Sequence, residues 1–173
     1  MANEWYRRSA AQGFVLAQMS LAWNQQYGLG TPVDYPQAAE GYRRAAEQGH
    51  PGAMNNLAYL YRMGLGVPAD PKQAAAWYMR SAEAGFSHGI CNAGVSIEHG
   101  IGMEPDPKRA FAFYLAAAAV DHPRALLKVA QGYEAGWGGV KDKAQAIAWY
   151  RKSARVGLEQ AREALKRLGA SEE

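Results

Sequence analysis

Residues 52–85 read GAMNNLAYLYRMGLGVPADPKQAAAWYMRSAEAG, and they decide the fold. Ala53, Leu57, Leu60 and Tyr61 recur at the spacing of one helix face, and the run stops at Gly64-Leu65-Gly66. Asp70 follows, a residue whose carboxylate can accept hydrogen bonds from the free N–H groups that open a helix. Pro71 comes next, at the first helical position, where its missing N–H costs nothing. A second helix then carries Trp77-Tyr78 and runs towards Gly85, a residue suited to the left-handed turn that ends helices. The stretch is one helix–turn–helix unit, with a first helix A and a second helix B.

Moved by 36 residues in either direction, the same features return. Trp77-Tyr78 becomes Trp5-Tyr6, Gly41-Tyr42, Phe113-Tyr114 and Trp149-Tyr150, with tyrosine second every time. Four residues beyond each tyrosine stands Ala10, Ala46, Ala82, Ala118 or Ala154. Gly28-Leu29-Gly30, Gly100-Ile101-Gly102 and Gly136-Trp137-Gly138 repeat the turn, and Asp34, Asp106 and Asp142 repeat the cap. Gly13, Gly49, Gly85 and Gly157 form a further column, broken at Asp121. No insertion disturbs the register, so the chain is an array of stacked repeats.

The periodicity predicts an all-α chain with B helices near 3–12, 35–48, 71–84, 107–120 and 143–156. A helices are expected near 15–27, 51–63, 87–99, 123–135 and 159–168, with Pro51 and Pro123 marking two starts. In B, Ala38, Tyr42 and Ala45-Ala46 form one buried face, and alanines opposite large aromatics let neighbouring helices interdigitate. One helix pair cannot bury both of its faces, so stacking stabilises the array. Residues 1–173 are expected to form a single repeat domain: a half repeat at 1–12, about four full repeats, and a charged capping helix at 159–168. The bare B helix at the start leaves Trp5 and Tyr6 with an uncovered side, which points either to a longer array or to self-association at that edge.

Composition narrows the function. Nineteen Lys and Arg against sixteen Asp and Glu, with no run of five like charges, is a weak basic footprint and argues against nucleic acid. No stretch approaches the roughly 20 apolar residues of a membrane span. The start MANEWYRRSAAQG lacks the apolar core of a signal peptide, so a cytoplasmic location is expected; removal of an upstream signal would make it periplasmic. Cys91 is the sole cysteine, which rules out an intramolecular disulfide and a thiolate cluster.

The pattern A-x-x-x-L-[AG], G-x-G, D-x-x-x-A-x-x-[WF]-Y-x-x-[SA]-A-x-x-G resembles the Sel-one-like repeat family, a 36-residue relative of the tetratricopeptide repeat. Residues 52–85 and QAIAWYRKSARVG at 145–157 carry the resemblance most clearly, and it covers essentially the whole chain. It implies a right-handed αα-solenoid with A helices lining a concave surface, and an adaptor or scaffold role in bacterial protein complexes. A disulfide-linked branch of the family is associated with β-lactam binding, but its paired cysteines are missing here.

Residues that look chemically suggestive are mostly absorbed by the repeat. A phosphate-cradling glycine loop must follow a strand, whereas these glycines follow helices. His50 and His122 share one phase at the B-to-A junction and read as turn residues. His88 and His99 stand eleven residues apart on one helix, about 16 Å, too far to share a metal. Cys91 with His88, or Ser87 with His88, could be drawn as nucleophile and base, but no third group orients them. No enzyme, cofactor or metal is expected. The basic column Arg8, Arg44, Arg80 and Lys152 reads as a solvated outer face.

Positions that vary between repeats are free to specialise. On the A helices these are Ser20, Asn56, Asn92 and Lys128; then Trp23, Tyr59, Val95 and Gln131; then Tyr27, Met63, His99 and Ala135. Asn56 and Asn92 are expected to grip the backbone of a peptide, since each amide offers a donor and an acceptor. Trp23 and Tyr59 would supply apolar anchors, unless they pack between helices instead, and Arg62 and Glu98 would set charge specificity at the rim. The leading expectation is a scaffold that binds a protein or peptide on its concave face. An immunity-type inhibitor of a bacterial toxin or effector is the alternative, and a β-lactam or peptidoglycan-acting enzyme a remote one.

Overall fold

The structure, a computed structural model, describes residues 2–139 and 141–172, and among them every regular element is an α-helix. B helices are α1 (Ala2–Ala11), α3 (Tyr35–Glu47), α5 (Pro71–Glu83), α7 (Pro107–Ala118) and α9 (Lys143–Arg155). A helices are α2 (Val15–Tyr27), α4 (Pro51–Met63), α6 (Ser87–His99), α8 (Pro123–Ala135) and α10 (Glu159–Arg167). The first four A helices have the expected bounds. Each B helix ends one or two residues early, because its last carbonyls turn over into the tight exit that the glycine column makes.

The caps act as the sequence suggests. Asp34, Asp106 and Asp142 each accept a hydrogen bond from the backbone N–H three residues on, and Asp70 accepts two, from Lys72 and Gln73. His50 and His122 do more than turn the chain. Each is an N-cap whose Nδ1 accepts from the backbone N–H of Ala53 or Ala125, at 3.1 and 3.4 Å. Asp121, where the glycine column breaks, still adopts the left-handed conformation of its column, with φ of 55°. The repeat's geometry overrides the local preference of that residue.

The chain divides into two compact units, Met1–Gly89 and Ile90–Glu173. In the first, Ala38, Ala39, Tyr42, Ala45 and Ala46 of α3 bury against Ala22, Ala53, Met54, Leu57 and Leu60, with Trp77 and Tyr61 packed at the margin. In the second, Leu127, Ala130, Tyr150, Ala154, Ala161 and Leu165 form the corresponding core. Tyr42, Tyr78 and Tyr114 are fully buried, each contributing about 2–3 kcal/mol of apolar burial. Their hydroxyls need partners in that setting.

Two junctions are unusually tight. Gly66, at φ of 70°, lies so close to the start of α3 that a Cβ there would stand 2.2 Å from the carbonyl carbon of Tyr35. In the second unit, a Cβ on Gly132 would stand 2.4 Å from the ring of Phe111, which also packs edge-on against Tyr133 at 5.1 Å.

Candidate protein-binding face

Three of the buried tyrosines, Tyr42, Tyr114 and Tyr150, reach back sixteen residues to the A helix before them. The Tyr42 hydroxyl donates to Gln26 Oε1 at 2.7 Å, Tyr114 donates to Glu98, and Tyr150 donates to Glu134 at 2.6 Å. Burial raises all three phenols above their ordinary range, so they remain protonated donors. Gln26, Glu98 and Glu134 are thus engaged from within the stack.

That settles where Glu98 points. Lys128 Nζ lies 2.8 Å from both of its oxygens, and the two side chains are only 11% and 16% exposed. Lys128 also sits 5.7 Å from the Tyr114 and Trp137 rings, and His99 Nε2 is 3.6 Å from Glu98. Glu134 is held likewise, by the two terminal guanidinium nitrogens of Arg167 at 2.6 and 2.9 Å. Burial alone would raise the Glu98 carboxyl, but the bonds from Lys128 and Tyr114 outweigh it and hold the group below its ordinary value. Arg167 does the same for Glu134.

A depressed carboxyl contributes stability that is complete above its unfolded value, near 4.5, and is lost as pH falls through the lower folded value. Glu98→Gln is expected to lower stability by about 2 kcal/mol at neutral pH, since it strands the half-buried Lys128 ammonium. Urea titrations from pH 7 down to pH 3 check this: the gap between wild type and variant should narrow as the solution becomes acidic. A constant gap would show that the carboxylate charge contributes nothing.

In the first unit the A-helix positions present a different surface. Ser20, Trp23 and Tyr27 follow one another at helical spacing on α2, and Trp23 and Tyr27 pack ring to ring at 4.4 Å. They nevertheless stay 42% and 51% exposed, and Met63 on α4 is 51% exposed. Tyr59 is half-buried against the core, with the Arg62 guanidinium 5.7 Å from its ring. Burial, then the nearby Tyr59 and Tyr35, raise the Tyr27 phenol, which places these three tyrosines in one neighbourhood. Tyr35 was not among the expected residues, because it belongs to a B helix. Asn56 is partly committed: it accepts from Asn55 at 3.2 Å and lies beside the Tyr42 phenol, whose ionisation it favours. The buried Arg62 Nε has no hydrogen-bond partner among the described residues.

In the second unit Val95 is buried, Asn92 and Gln131 are half-buried, and His99 and Ala135 are exposed. These positions hold no exposed aromatic. The basic column of the B helices is engaged locally: Arg8 with Glu4, Arg44 with Glu40, Arg80 over Trp77 at 4.3 Å and Lys152 over Trp149 at 4.1 Å. Cys91 is buried, and burial pushes its thiol up to about 11, so it is a neutral packing group at physiological pH. Among the described residues, no three of His, Cys, Asp and Glu gather as metal ligands would. No helix among them is long and apolar enough to cross a membrane.

A family model, the Sel1 repeat, matches residues 1–14, 15–50, 51–86, 87–122 and 123–158, the same phase as the caps and tyrosines. The chain belongs to the Sel1 repeat family. A Sel1 repeat protein from Oxalobacter formigenes is 33% identical, with a TM-score of 0.89 over 99% of this chain and 70% of that one. A protective antigen present in uropathogenic Escherichia coli strains, displaying the same repeat fold, is 31% identical at a TM-score of 0.89, covering 99% of this chain and 38% of that one. An immunity protein from Pseudomonas aeruginosa is 28% identical at a TM-score of 0.55, covering 95% and 56%. No curated protein matches by sequence. The fold is the expected all-α solenoid of 36-residue helix–turn–helix repeats. Sel1 repeat proteins are generally protein-interaction scaffolds, and the fold is typically non-enzymatic.

Proposed function

We propose that this Sel1 repeat protein is a cytoplasmic adaptor that holds a partner protein or peptide on the A-helix face of its first unit. The observation that carries the proposal is the exposed Trp23–Tyr27 pair, flanked by Tyr59, Arg62 and Met63. Aromatic and arginine side chains of this kind supply most of the energy of protein interfaces, and the large exposed rings lose little entropy on binding. Ser20 and Asn56 border the pair and add hydrogen-bonding capacity. On the second unit, Asn92, His99, Lys128 and Gln131 form a more polar face around the Glu98 pair, suited to specificity rather than anchoring.

The test is affinity capture from native lysate with wild type and with the double variant Trp23→Ala, Tyr27→Ala. The variant is expected to lose its partner, with affinity falling at least thirtyfold, on the order of the 2 kcal/mol that defines an anchor residue. Far-ultraviolet circular dichroism should not change, because both side chains lie largely outside the core. Undiminished capture by the variant would sink the assigned face. A second reading, neutralisation of a toxin or effector enzyme, is supported by the similarity to the Pseudomonas immunity protein. It requires that the captured partner be toxic when expressed alone and harmless when co-expressed with this chain.

A further inference from the structure

The first unit contains the same inter-helix junction twice, 36 residues apart, and the two copies are filled differently. In the second copy, Met54, Leu57 and Tyr61 of α4 pack with Trp77 of α5 in one apolar cluster, and Arg80 covers the indole at 4.3 Å. The equivalent residues in the first copy are Gln18, Leu21, Gln25, Gly41 and Arg44. The tryptophan has become a glycine and two of its apolar neighbours have become amides. A cleft of about 190 Å³ opens in its place, walled by Arg7 and Ala10 of α1, Gln18, Leu21 and Gln25 of α2, and Gly41 of α3.

Its helices are held close, so the cleft is built into the packing. A Cβ on Gly41 would stand 2.9 Å from Ala22 Cβ. Gln18 is buried and fixed, accepting from Gln48 at 2.8 Å and donating to the Ala10 carbonyl at 3.4 Å. Arg7, Gln25 and Gln37 also line a second cleft of about 330 Å³ that continues past Thr31, Pro32, Val33 and Asp34. The two share Arg7, Gln25 and Gln37 and so adjoin in one groove. Gln18, Leu21 and Gln25 lie on the side of α2 opposite Ser20, Trp23 and Tyr27, so this groove is separate from the aromatic face.

The charges around the groove are unequal in what they leave over. Arg8 pairs with Glu4, and Glu40 is shared by Arg43 and Arg44, while the Asp34 carboxylate caps α3 through the Gln37 N–H. Arg7 is left without a carboxylate among the described residues. We propose that this groove binds an acidic segment of extended peptide, one carboxylate meeting Arg7 while the Gln25 and Gln37 amides pair with its main chain. A guanidinium receives a carboxylate through two parallel hydrogen bonds, and each primary amide matches the donor and acceptor of a peptide unit. This site does not depend on the function proposed for Trp23 and Tyr27.

The experiment uses the full chain and two blocked peptides of equal length, triglutamate and triglutamine, titrated against its ¹⁵N-labelled amide spectrum. Triglutamate should shift Gly41 and the side-chain amides of Gln25 and Gln37 saturably, and bind more tightly than triglutamine. Arg7→Gln should remove that preference, a loss of about fivefold in affinity, the size expected of one exposed ion pair. Arg8→Gln, on the neighbouring paired arginine, should leave it intact. Equal binding of the two peptides, equal effects of the two arginine variants, shifts confined to the Trp23–Tyr27 face, or no saturable shift would each overturn the proposal.

Discussion

Replacing Gly66 by alanine is expected to cost about 3 kcal/mol or more, one of the largest effects of any single methyl group in this chain. Two penalties add. The residue holds φ of 70°, which a side chain disfavours, and the new Cβ would stand 2.2 Å from the Tyr35 carbonyl carbon and 2.4 Å from the Pro36 nitrogen. Those atoms are backbone at the first turn of α3, where Asp34 already fixes the chain as an N-cap, so they cannot swing aside as a side chain would. Gly49 separates the terms: its φ is 89°, yet a Cβ there would meet nothing within 4 Å. Gly49→Ala should therefore cost only about 1 kcal/mol. Urea unfolding of the two variants measures the difference, and equal losses would show that the close approach is unimportant. Hydrogen exchange adds a location, since Gly66→Ala should deprotect the amides at the start of α3 first.

The second large effect is expected at Phe111. Truncation to alanine should cost about 3–5 kcal/mol, because the ring is buried against Gly132 and Gly138, which carry no side chain to fill the void. Gly132→Leu should also be destabilising, by about 1–3 kcal/mol or more, since even a Cβ at that position would lie 2.4 Å from the ring. Made together, the two should partly offset each other. One repeat type already uses the reverse arrangement: positions 39 and 60 of the first unit, equivalent to 111 and 132, hold Ala39 and Leu60, both fully buried. The double variant Phe111→Ala, Gly132→Leu copies that pair into the second unit. A favourable coupling of about 2–3 kcal/mol in a double-mutant cycle is the expected result, and simple additivity would argue that the two sites do not share volume.

These cases also show how far the sequence could be read. Helix bounds and aspartate caps were legible because they repeat, and each depends only on residues within one turn. His50 and His122 were placed correctly at the junction, but their capping bonds were not foreseen, since histidine is an uncommon N-cap. The engagement of Glu98 escaped notice for a different reason. Its partners lie sixteen and thirty residues away on two other helices, beyond any local pattern. A signal did exist: Gln26, Arg62, Glu98 and Glu134 form a polar column one helix before the constant tyrosine. The sequence leaves Trp23 and Tyr59 between anchor and packing, and in the structure they divide, the first exposed and the second half-buried against the core. Gly41 was visible as a break among the aromatic pairs, but only the packing of its neighbours turns that break into a groove.

The tyrosine bonds bear on how the chain acquires its structure. The hydrogen bond from Arg167 to Glu134 spans 33 residues and that from Lys128 to Glu98 spans 30, each about one repeat. Tyr42, Tyr114 and Tyr150 find their partners sixteen residues behind them, and the aspartate caps are satisfied within three. A nascent chain leaving the ribosome would carry every partner for one repeat within about 36 residues of synthesis, with no strand waiting for a distant mate. Folding can then advance vectorially, one helix pair at a time, with only the outer face of the newest pair waiting for the next to cover it.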